Sequence, residues 1–291
     1  MNKSYNSLGL MSGTSGDGID ASVIETDGKT QYKVLKNQFF EYPLSITRQI
    51  HKLKEEITNP NELLTHSKDI ELIAEQITDY HANAANEMIN KHDIDLIGFH
   101  GQTIYHNSDQ KISKQIGSGE KLSKITKKTV ICNFRENDLN NGGEGAPLAP
   151  IFHKLLVKQN KIKIPVSIIN IGGISNITSI NNNFTMYSRD IGPGNCLIDK
   201  WIRLKSKEKY DEKGSIARSG TIDKFILNQS LDNFYNNEIS KKKSFDTNDF
   251  DLSFVRGLTL ENGAATLTEF TADICSKKIK SGNIYVSGGG R

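Results

Sequence analysis

The chain has 291 residues, of which 24% are charged, and its formal net charge is +3 at pH 7. This length is large for one hydrophobic core and predicts two domains, while the near balance of dispersed charges gives no indication of nucleic-acid binding. Its 3 cysteines are far apart and lack metal-ligand spacing, which predicts reduced thiols in the cytoplasm. No apolar run approaches the roughly 18 residues of a membrane span, and the first residues lack a signal-peptide core. We therefore expect a cytoplasmic protein with no membrane partner.

A glycine-rich turn interrupts the first apolar run of the chain. Leu8 and Leu10 lead into a stretch of Gly, Ser, Thr and Asp, and a partly β-branched run resumes at Ile19. This pattern predicts a strand, a tight turn and a second strand. The glycines permit positive φ and leave no Cβ in the way of an approaching anion, while the hydroxyls add hydrogen-bond donors. The turn is therefore suited to bind phosphate.

Three alternatives compete with this interpretation. A P-loop requires an earlier glycine at a fixed spacing, but Val23 occupies that position ahead of the sequence Gly28-Lys-Thr. The segment Gly16–Ala21 matches the loose dinucleotide-binding fingerprint, yet that fingerprint must open a helix and the residues that follow favour a strand. A hairpin turn without a ligand stays open, because hairpins also select Gly and Asp.

The next hundred residues predict strands and helices in mixed order. Residues 32–40 should form a third strand, and Pro43 should begin a helical stretch. A long amphipathic helix is predicted over residues 69–91, because apolar residues recur on one face at Ile73, Ile77, Tyr80, Ala84 and Met88. Residues 95–99 should form a buried strand that delivers His100–His106 at its end, where ligands bind in α/β sheets.

A further strand and a loop should complete the first unit. Residues 121–127 are predicted to be helical, and the apolar strand 129–132 ends in the sequence Asn133-Phe-Arg135. A glycine-rich loop over 140–147 leads into a predicted helix over 147–157. The lysine-rich residues that follow, 158–163, indicate a crossing to a second unit.

The chain then repeats its opening pattern. Residues 166–178 again combine an apolar strand, a turn of Gly, Ser and Asn, and a β-branched continuation, which we interpret as an internal repeat of the phosphate hairpin. The remaining predictions are a strand over 185–188, a turn over 189–195, helices over 196–205 and 257–276, and a strand over 283–287 before a triglycine turn. Because this unit is the shorter one and ends on an unfinished sheet edge, we expect the chain to be a truncated form of a longer protein.

Five segments in a fixed order carry a family resemblance: GLMSGTSGDGID at 9–20, GFHGQTIYH at 98–106, GGEGAPL at 142–148, NIGGISNIT at 170–178 and DIGPGN at 190–195. They resemble the anhydro-N-acetylmuramic acid kinase family of the sugar kinase, heat-shock chaperone and actin superfamily. The resemblance implies an α/β fold of two ribonuclease H-like, actin-like ATPase domains with an interdomain cleft. Residues 1–160 would form the domain with the first phosphate hairpin, and residues 161–291 an incomplete second domain with the other hairpin and an adenosine loop.

The resemblance also implies a reaction. With ATP, Mg²⁺ and water, 1,6-anhydro-N-acetylmuramic acid would become N-acetylmuramic acid 6-phosphate, in recycling of cell-wall sugar. Water attacks the anomeric carbon and the released O6 attacks the γ-phosphate, so one carboxylate must accept the proton of the water. The family motif makes Asp190 that base, held on a loop after a strand, and its alternative role is to cap the helix near Asn195.

Binding residues follow from the same resemblance. Asp17 and Asp20 would hold water on Mg²⁺, although Asp20 could instead be a solvent-facing strand residue. Arg135 would bind the lactyl carboxylate, with a surface ion pair as the alternative, and His100 would contact sugar or simply pack. The expected nucleotide contacts are Gly13, Thr14, Ser15, Gly16, Asp17, Gly18, Ile19, Asp20, Gly172, Gly173, Gly288 and Gly289, and the expected sugar contacts are His100, Arg135, Gly192 and Asn195.

Two departures from the family pattern stand beside these expectations. Asn133 occupies a position where the family usually has Asp, which weakens any charge-based role there, and the chain stops within the adenosine loop, so an inactive polypeptide is one expectation. The rival functions are a kinase of another sugar or short acid, which needs no water-activating base, and a chaperone- or actin-type ATPase interaction protein. The expected partner is the small anhydro-muramyl sugar, and a homodimer is compatible with the resemblance.

Overall fold

The computed structural model describes residues 3–237, 244–280 and 282–291. It divides into two compact units, the first formed by Met1–Leu148 and Leu155–Asn160 and the second by Ala149–Lys154 and Lys161–Arg291. Each unit is built on one β-sheet, so the expected mixed α/β fold is confirmed. The assignment of the units as ribonuclease H-like domains stays a prediction. None of the described helices has the length and apolarity needed to cross a membrane.

The first unit carries a sheet of 6 strands. Its strands are β1 (Tyr5–Ser12), β2 (Gly18–Thr26), β3 (Tyr32–Glu41), β4 (Leu96–Asn107), β5 (Ile112–Ile116) and β6 (Thr129–Ile131). Its helices are α1 (Leu44–Glu56), α2 (Pro60–Thr65), α3 (Ser67–Ile89), α4 (Gly119–Thr126) and α5 (Glu136–Asn140), and α6 (Pro150–Gln159) follows. The strand order is β3-β2-β1-β4-β5, with β6 paired to β4. β1 therefore lies centrally, antiparallel to β2 and parallel to β4.

One hydrophobic core fills the first unit. Leu8 and Val23 are both 0% exposed, because alternate side chains of β1 and β2 point to the same face of the sheet. The predicted stripe of α3 packs on this core, with Ile77 and Met88 fully buried and Tyr80 partly buried. The helical spacing of the sequence therefore identified the buried face of α3 correctly.

The second unit carries a sheet of 4 strands in the order β10-β7-β8-β9. Its elements are β7 (Val166–Ile171), β8 (Ile174–Ile180), β9 (Met186–Pro193), α7 (Cys196–Lys205), α8 (Ser215–Ser219), α9 (Lys224–Asn236), α10 (Leu260–Lys278) and β10 (Asn283–Ser287). The helices share a core around Trp201, which is 0% exposed and donates its indole N–H to Leu260 O over 2.8 Å. Strand β10 pairs in parallel with β7 at the edge of the sheet.

Two strands are longer than predicted, and this changes the setting of candidate site residues. β4 continues to Asn107, so His100–His106 lie inside the strand and not at its end, because Thr103 and Tyr105 favour strand and pair with β5. β9 continues to Pro193, so Asp190 lies in a strand and not on a loop after one, because the pairing with β8 persists there. Strand β5 and helices α2, α5, α8 and α9 were not predicted.

Candidate active site

The first glycine turn, residues 13–17, joins β1 to β2. The Gly16 N–H donates to the Gly13 carbonyl over 3.1 Å and closes the turn. Gly16 has φ +62, and a Cβ there would lie 2.9 Å from Ile50 Cγ2, so the fold itself requires this glycine. A Cβ at Gly13 would meet nothing nearer than Ser15 Oγ, at 3.7 Å. The packing of the fold therefore does not explain why residue 13 is a glycine. The space beside Gly13 is open to a ligand.

Side chains from outside the turn hold its successive carbonyl groups. The pairs are Gln102 Nε2 with Gly13 O at 3.0 Å, Lys54 Nζ with Thr14 O at 2.9 Å, and His51 Nε2 with Ser15 O at 2.6 Å. Because the C=O and N–H of a trans peptide point in opposite directions, the N–H groups of Thr14 and Ser15 point away from these donors. Neither N–H has an acceptor among the described residues. Both are therefore available to an anion.

Two carboxylates follow the first turn. Asp17 is exposed, and it accepts a hydrogen bond from Ser15 Oγ. Asp20 has an exposed position on β2, and its pKa is raised, first by partial desolvation of the carboxyl group and second by the charge of Asp17. The two negative charges therefore act on each other. A hydrated cation beside them would lower this repulsion.

The fold accounts for two of the predicted phosphate contacts. A Cβ on Gly18 would collide with the Phe40 carbonyl and the Phe39 ring, so this glycine lets β2 pair with β3. Ile19 is 1% exposed and its side chain belongs to the core. Any contact between Ile19 and a ligand must therefore come from its backbone.

His100 and Arg135 are in direct contact. The Arg135 Nε–H donates to His100 Nε2 over 3.2 Å, and Arg135 Nη1 donates to Ser113 Oγ over 3.4 Å. The proton of His100 is therefore on Nδ1, which donates to the Gly101 carbonyl over 2.8 Å. Burial, and then the charge of Arg135, lowers the pKa of His100 to about 4. A neutral imidazole thus orients a guanidinium, the group best suited to bind a carboxylate.

The segment that carries Arg135 turns at Asn133. Its φ is +59, a left-handed conformation in which Asn and Asp are the favoured non-glycine residues. An aspartate at this position would therefore fit the same backbone, and the departure from the family pattern leaves the local conformation intact.

The second glycine turn, residues 172–173, joins β7 to β8. Backbone N–H groups hold its carbonyls, with Asn195 N–H on Gly172 O at 2.7 Å and the N–H groups of Gly194 and Cys196 on Gly173 O at 3.0 and 3.1 Å. The start of α7 is thereby fixed against the turn. A Cβ on Gly172 would have no neighbour closer than Asn170 Nδ2, at 3.4 Å, so this glycine also leaves space.

The triglycine segment, residues 288–290, approaches the same end of the second sheet. The Gly290 N–H donates to Ile171 O over 3.0 Å, and a Cβ on Gly289 would lie 3.6 Å from Asn195 Nδ2. The structure therefore brings Gly172, Gly173, Gly288, Gly289 and Asn195 together within the second unit. Gly192 differs, because a Cβ there would lie 2.6 Å from Ile274 Cγ2, so it serves the packing of α10 on β9.

Asp190 is a buried carboxylate, 5% exposed, on β9. Its Oδ2 accepts hydrogen bonds from the Phe245 N–H over 2.9 Å and from Ser244 Oγ over 3.4 Å. Asn195 is the N-cap residue of α7, and its own side chain makes no capping hydrogen bond. A capping role for Asp190 stays an alternative. The contacts with Phe245 and Ser244 orient its carboxylate from the residues that follow α9.

Several residues of these arrangements were missed by the sequence reasoning. They are His51, Lys54 and Gln102 around the first turn, Ser113 beside Arg135, and Ser244 and Phe245 beside Asp190. The contacts of the first turn join residues 36, 40 and 89 positions apart, which no local pattern reveals. One usable signal was the three-residue spacing of His51 and Lys54, which places both on one side of a helix.

Two sequence comparisons with known proteins agree with each other. The family model for anhydro-N-acetylmuramic acid kinase matches residues 5–291. A protein named anhydro-N-acetylmuramic acid kinase from Pelagibacter ubique is 50% identical over 100% of this chain and 81% of its own length. One of the same name from Zymomonas mobilis is 37% identical over 98% of this chain and 80% of its own. A gluconate kinase from Lactobacillus acidophilus superposes with a TM-score of only 0.38 at 12% identity, over 99% of this chain and 82% of its own, which carries no weight.

The family model and the named relatives show that this chain is a small-molecule kinase. A glycine turn between antiparallel strands opens each unit, and two of the turns' glycines have no packing reason to be glycine. The chain belongs to the anhydro-N-acetylmuramic acid kinase family.

Proposed function

We propose that this chain is an ATP-dependent kinase that hydrolytically opens 1,6-anhydro-N-acetylmuramic acid and phosphorylates it to N-acetylmuramic acid 6-phosphate. The observation that carries the proposal is the 50% identity to a kinase of that name over the whole of this chain. The reaction belongs to recycling of peptidoglycan sugar. In fold terms, we propose that the two units are ribonuclease H-like, actin-like ATPase domains, since each begins with a strand, a glycine turn and a strand.

Phosphate binding is assigned to the glycine turns. The free N–H groups of Thr14 and Ser15 would donate to the β- and γ-phosphates of ATP, as in other backbone anion sites. In the second unit, Gly172, Gly173, Gly288 and Gly289 would contact the nucleotide through their backbones. Space beside Gly172 and Gly289, where an added Cβ would find no close neighbour, supports this assignment.

The residues fit a hydrated Mg²⁺ ion better than a directly bound one. Among the described residues, no group of three or more His, Cys, Asp or Glu side chains could hold a metal. Asp17 and Asp20 are exposed and interact electrostatically, so they would hold the ion through its water molecules. When bound, the ion neutralises phosphate charge that develops during transfer.

Asp190 is the proposed general base. Its carboxylate would accept a proton from the water that attacks the anomeric carbon. The bond between that carbon and O6 then breaks, and O6 forms the new bond to the γ-phosphorus as ADP leaves. The hydrogen bond from the Phe245 N–H fixes Oδ2, which would keep the carboxylate in one orientation during the reaction.

Sugar binding is assigned to Arg135, His100, Gly192 and Asn195. Arg135 would bind the lactyl carboxylate, and His100 would hold the guanidinium in place through Nε2. Asn195 offers a side-chain amide, while Gly192 could contribute only its backbone. The neutral state of His100, whose pKa is about 4, supports its role as an acceptor for Arg135 near pH 7.

The test of this function is the variant Asp190→Asn, assayed for ADP release with the anhydro sugar and ATP. We expect the rate to fall by about 10²- to 10⁴-fold, the usual contribution of a general base, with ATP affinity unchanged. Asp232→Asn, which removes an exposed carboxylate on α9, is the matched control and should keep the wild-type rate. A kinase of another sugar or short acid needs no such base, so full activity in Asp190→Asn would refute the mechanism.

A further inference from the structure

The side chains that hold the carbonyl groups of the first turn have no assigned role in the reaction. We infer that Gln102, Lys54 and His51 are positioning residues that set the affinity of the turn for phosphate, by fixing the direction of its N–H groups. This inference rests on the proposed binding of ATP phosphates by the turn.

The hairpin does not need these side chains in order to form. The ladder between β1 and β2 runs without interruption from Tyr5 and Thr26 to Met11 and Asp20. The hydrogen bond from Gly16 to Gly13 then closes the turn. That bond already orients the Gly13–Thr14 peptide through its carbonyl and the Ser15–Gly16 peptide through its N–H, so the backbone alone leaves only the Thr14–Ser15 peptide undetermined. Lys54 fixes this peptide by bonding the Thr14 carbonyl, while Gln102 and His51 give a second bond to the peptide on either side.

The side-chain amide of Gln102 is held in an orientation that leaves its own oxygen without a hydrogen bond. The side chain is 0% exposed, and its Nε2 donates both to Gly13 O at 3.0 Å and to Thr103 O at 3.1 Å. Its Oε1 is buried and has no hydrogen-bond partner among the described residues. A buried acceptor without a partner is unfavourable and rare in native proteins. The amide therefore serves the carbonyl of the turn at the expense of its own acceptor.

Lys54 places a cation beneath a turn that is suited to anions. The residue is 8% exposed, an unusual position for lysine, and its ammonium group donates to Thr14 O over 2.9 Å. A charged donor on a carbonyl polarises the peptide group, which makes the N–H of Ser15 on the other side a stronger donor. His51 lies one helical turn earlier on α1 and bonds the next carbonyl, that of Ser15. The N–H of that peptide belongs to Gly16 and donates inside the turn, so His51 acts by holding the turn in shape.

The experiment compares how tightly ATP and adenosine bind, by calorimetry, to the full chain and its variants. Gln102→Leu, Lys54→Met and His51→Leu each remove one donor at nearly constant size. We expect the dissociation constant for ATP to rise on the order of tenfold in each, while that for adenosine changes less than about twofold. His51→Gln keeps a side-chain N–H donor and should recover most of the loss.

The matched control is Lys52→Met, which removes a lysine on α1 whose side chain is 71% exposed. It should bind both ligands as the wild type does. Equal weakening of ATP and adenosine, or unchanged ATP affinity in folded variants, would overturn the inference. If Lys54→Met or Gln102→Leu fails to fold, the pair His51→Leu and His51→Gln decides, because His51 is only partly buried. A wild-type chain that binds adenosine and ATP equally would instead refute phosphate binding by the turn.

Discussion

The two glycine turns of the molecule are alike in sequence but are held in place differently. In the first turn, side chains of α1 and β4 bond the successive carbonyls of Gly13, Thr14 and Ser15. In the second, backbone N–H groups at the start of α7 bond the carbonyls of Gly172 and Gly173. The first arrangement depends on which side chains are present, and the second on how closely two backbones approach.

This difference predicts that different kinds of substitution will disturb the two turns. Removing one donor from the first turn should alter ligand affinity while the hairpin ladder persists. In the second turn, a side chain added where the backbones meet should disturb the sheet and the start of α7 together. Two substitutions at the second turn test this comparison, and an acid titration asks whether the first unit depends on a buried side chain outside its turn.

Gly194→Ala should have the largest effect. Its new Cβ would collide with the Gly172 carbonyl, a backbone atom that can move only if the turn moves. We expect a loss of about 3 kcal/mol in the free energy of unfolding of the second unit. The fluorescence of Trp201, the 1 tryptophan of the chain, reports this unit in a urea titration. Gly257→Ala is the control, because a Cβ there has no neighbour within 4 Å; similar midpoints for both variants would contradict the prediction.

Lowering the pH should reduce the free energy of unfolding of the first unit, because His81 of α3 is buried. Burial, the dominant cause, lowers the pKa of His81 to about 4 from the ordinary value of 6.5. The unfolded chain therefore binds the proton first, so the stability contribution is complete above pH 6.5 and is lost as the pH falls toward 4. The contribution of His81 to the slope is about 1.4 kcal/mol per pH unit, or about 3 kcal/mol across the interval.

Hydrogen exchange of α3 between pH 7 and 4, corrected for intrinsic rates, measures this slope. His81→Leu should reduce it, and the remaining slope should reflect His100, whose pKa is also about 4 and whose burial has the same sign of effect. Identical slopes in the wild type and His81→Leu would show that His81 is not the sensor.

Thr271→Val should have the smallest effect of the three. Thr271 Oγ1 donates to the Gly194 carbonyl over 3.1 Å and is a side-chain support of the backbone-held turn. Loss of this hydrogen bond should lower the free energy of unfolding, measured by Trp201 fluorescence, by about 1 kcal/mol. Thr268→Val, which removes only a bond to Ala264 O within α10, should cost less. A loss for Thr271→Val as large as for Gly194→Ala would mean that side chains hold both turns.

The sequence predicted the bounds of strands and helices well where neighbouring residues determine those bounds. The strand over 283–287 and the helix over 196–205 were predicted with the bounds that the structure has, because apolar runs and glycines delimit them. The ends of β4 and β9 were missed, since pairing with β5 and β8 extends these strands beyond their apolar segments. The partners of Asp190 were also missed, because Phe245 lies 55 positions away.

The edge position of β10 has a consequence for the order in which the protein acquires its shape on the ribosome. The sheet of the first unit is complete once Ile131 has emerged, whereas Ser287 must reach Asn170 across 117 positions. The nascent chain therefore carries β7 with one open flank for most of the synthesis of the second unit. Chaperone binding during translation would be expected to concentrate on that flank, and to end when β10 has emerged and paired with β7.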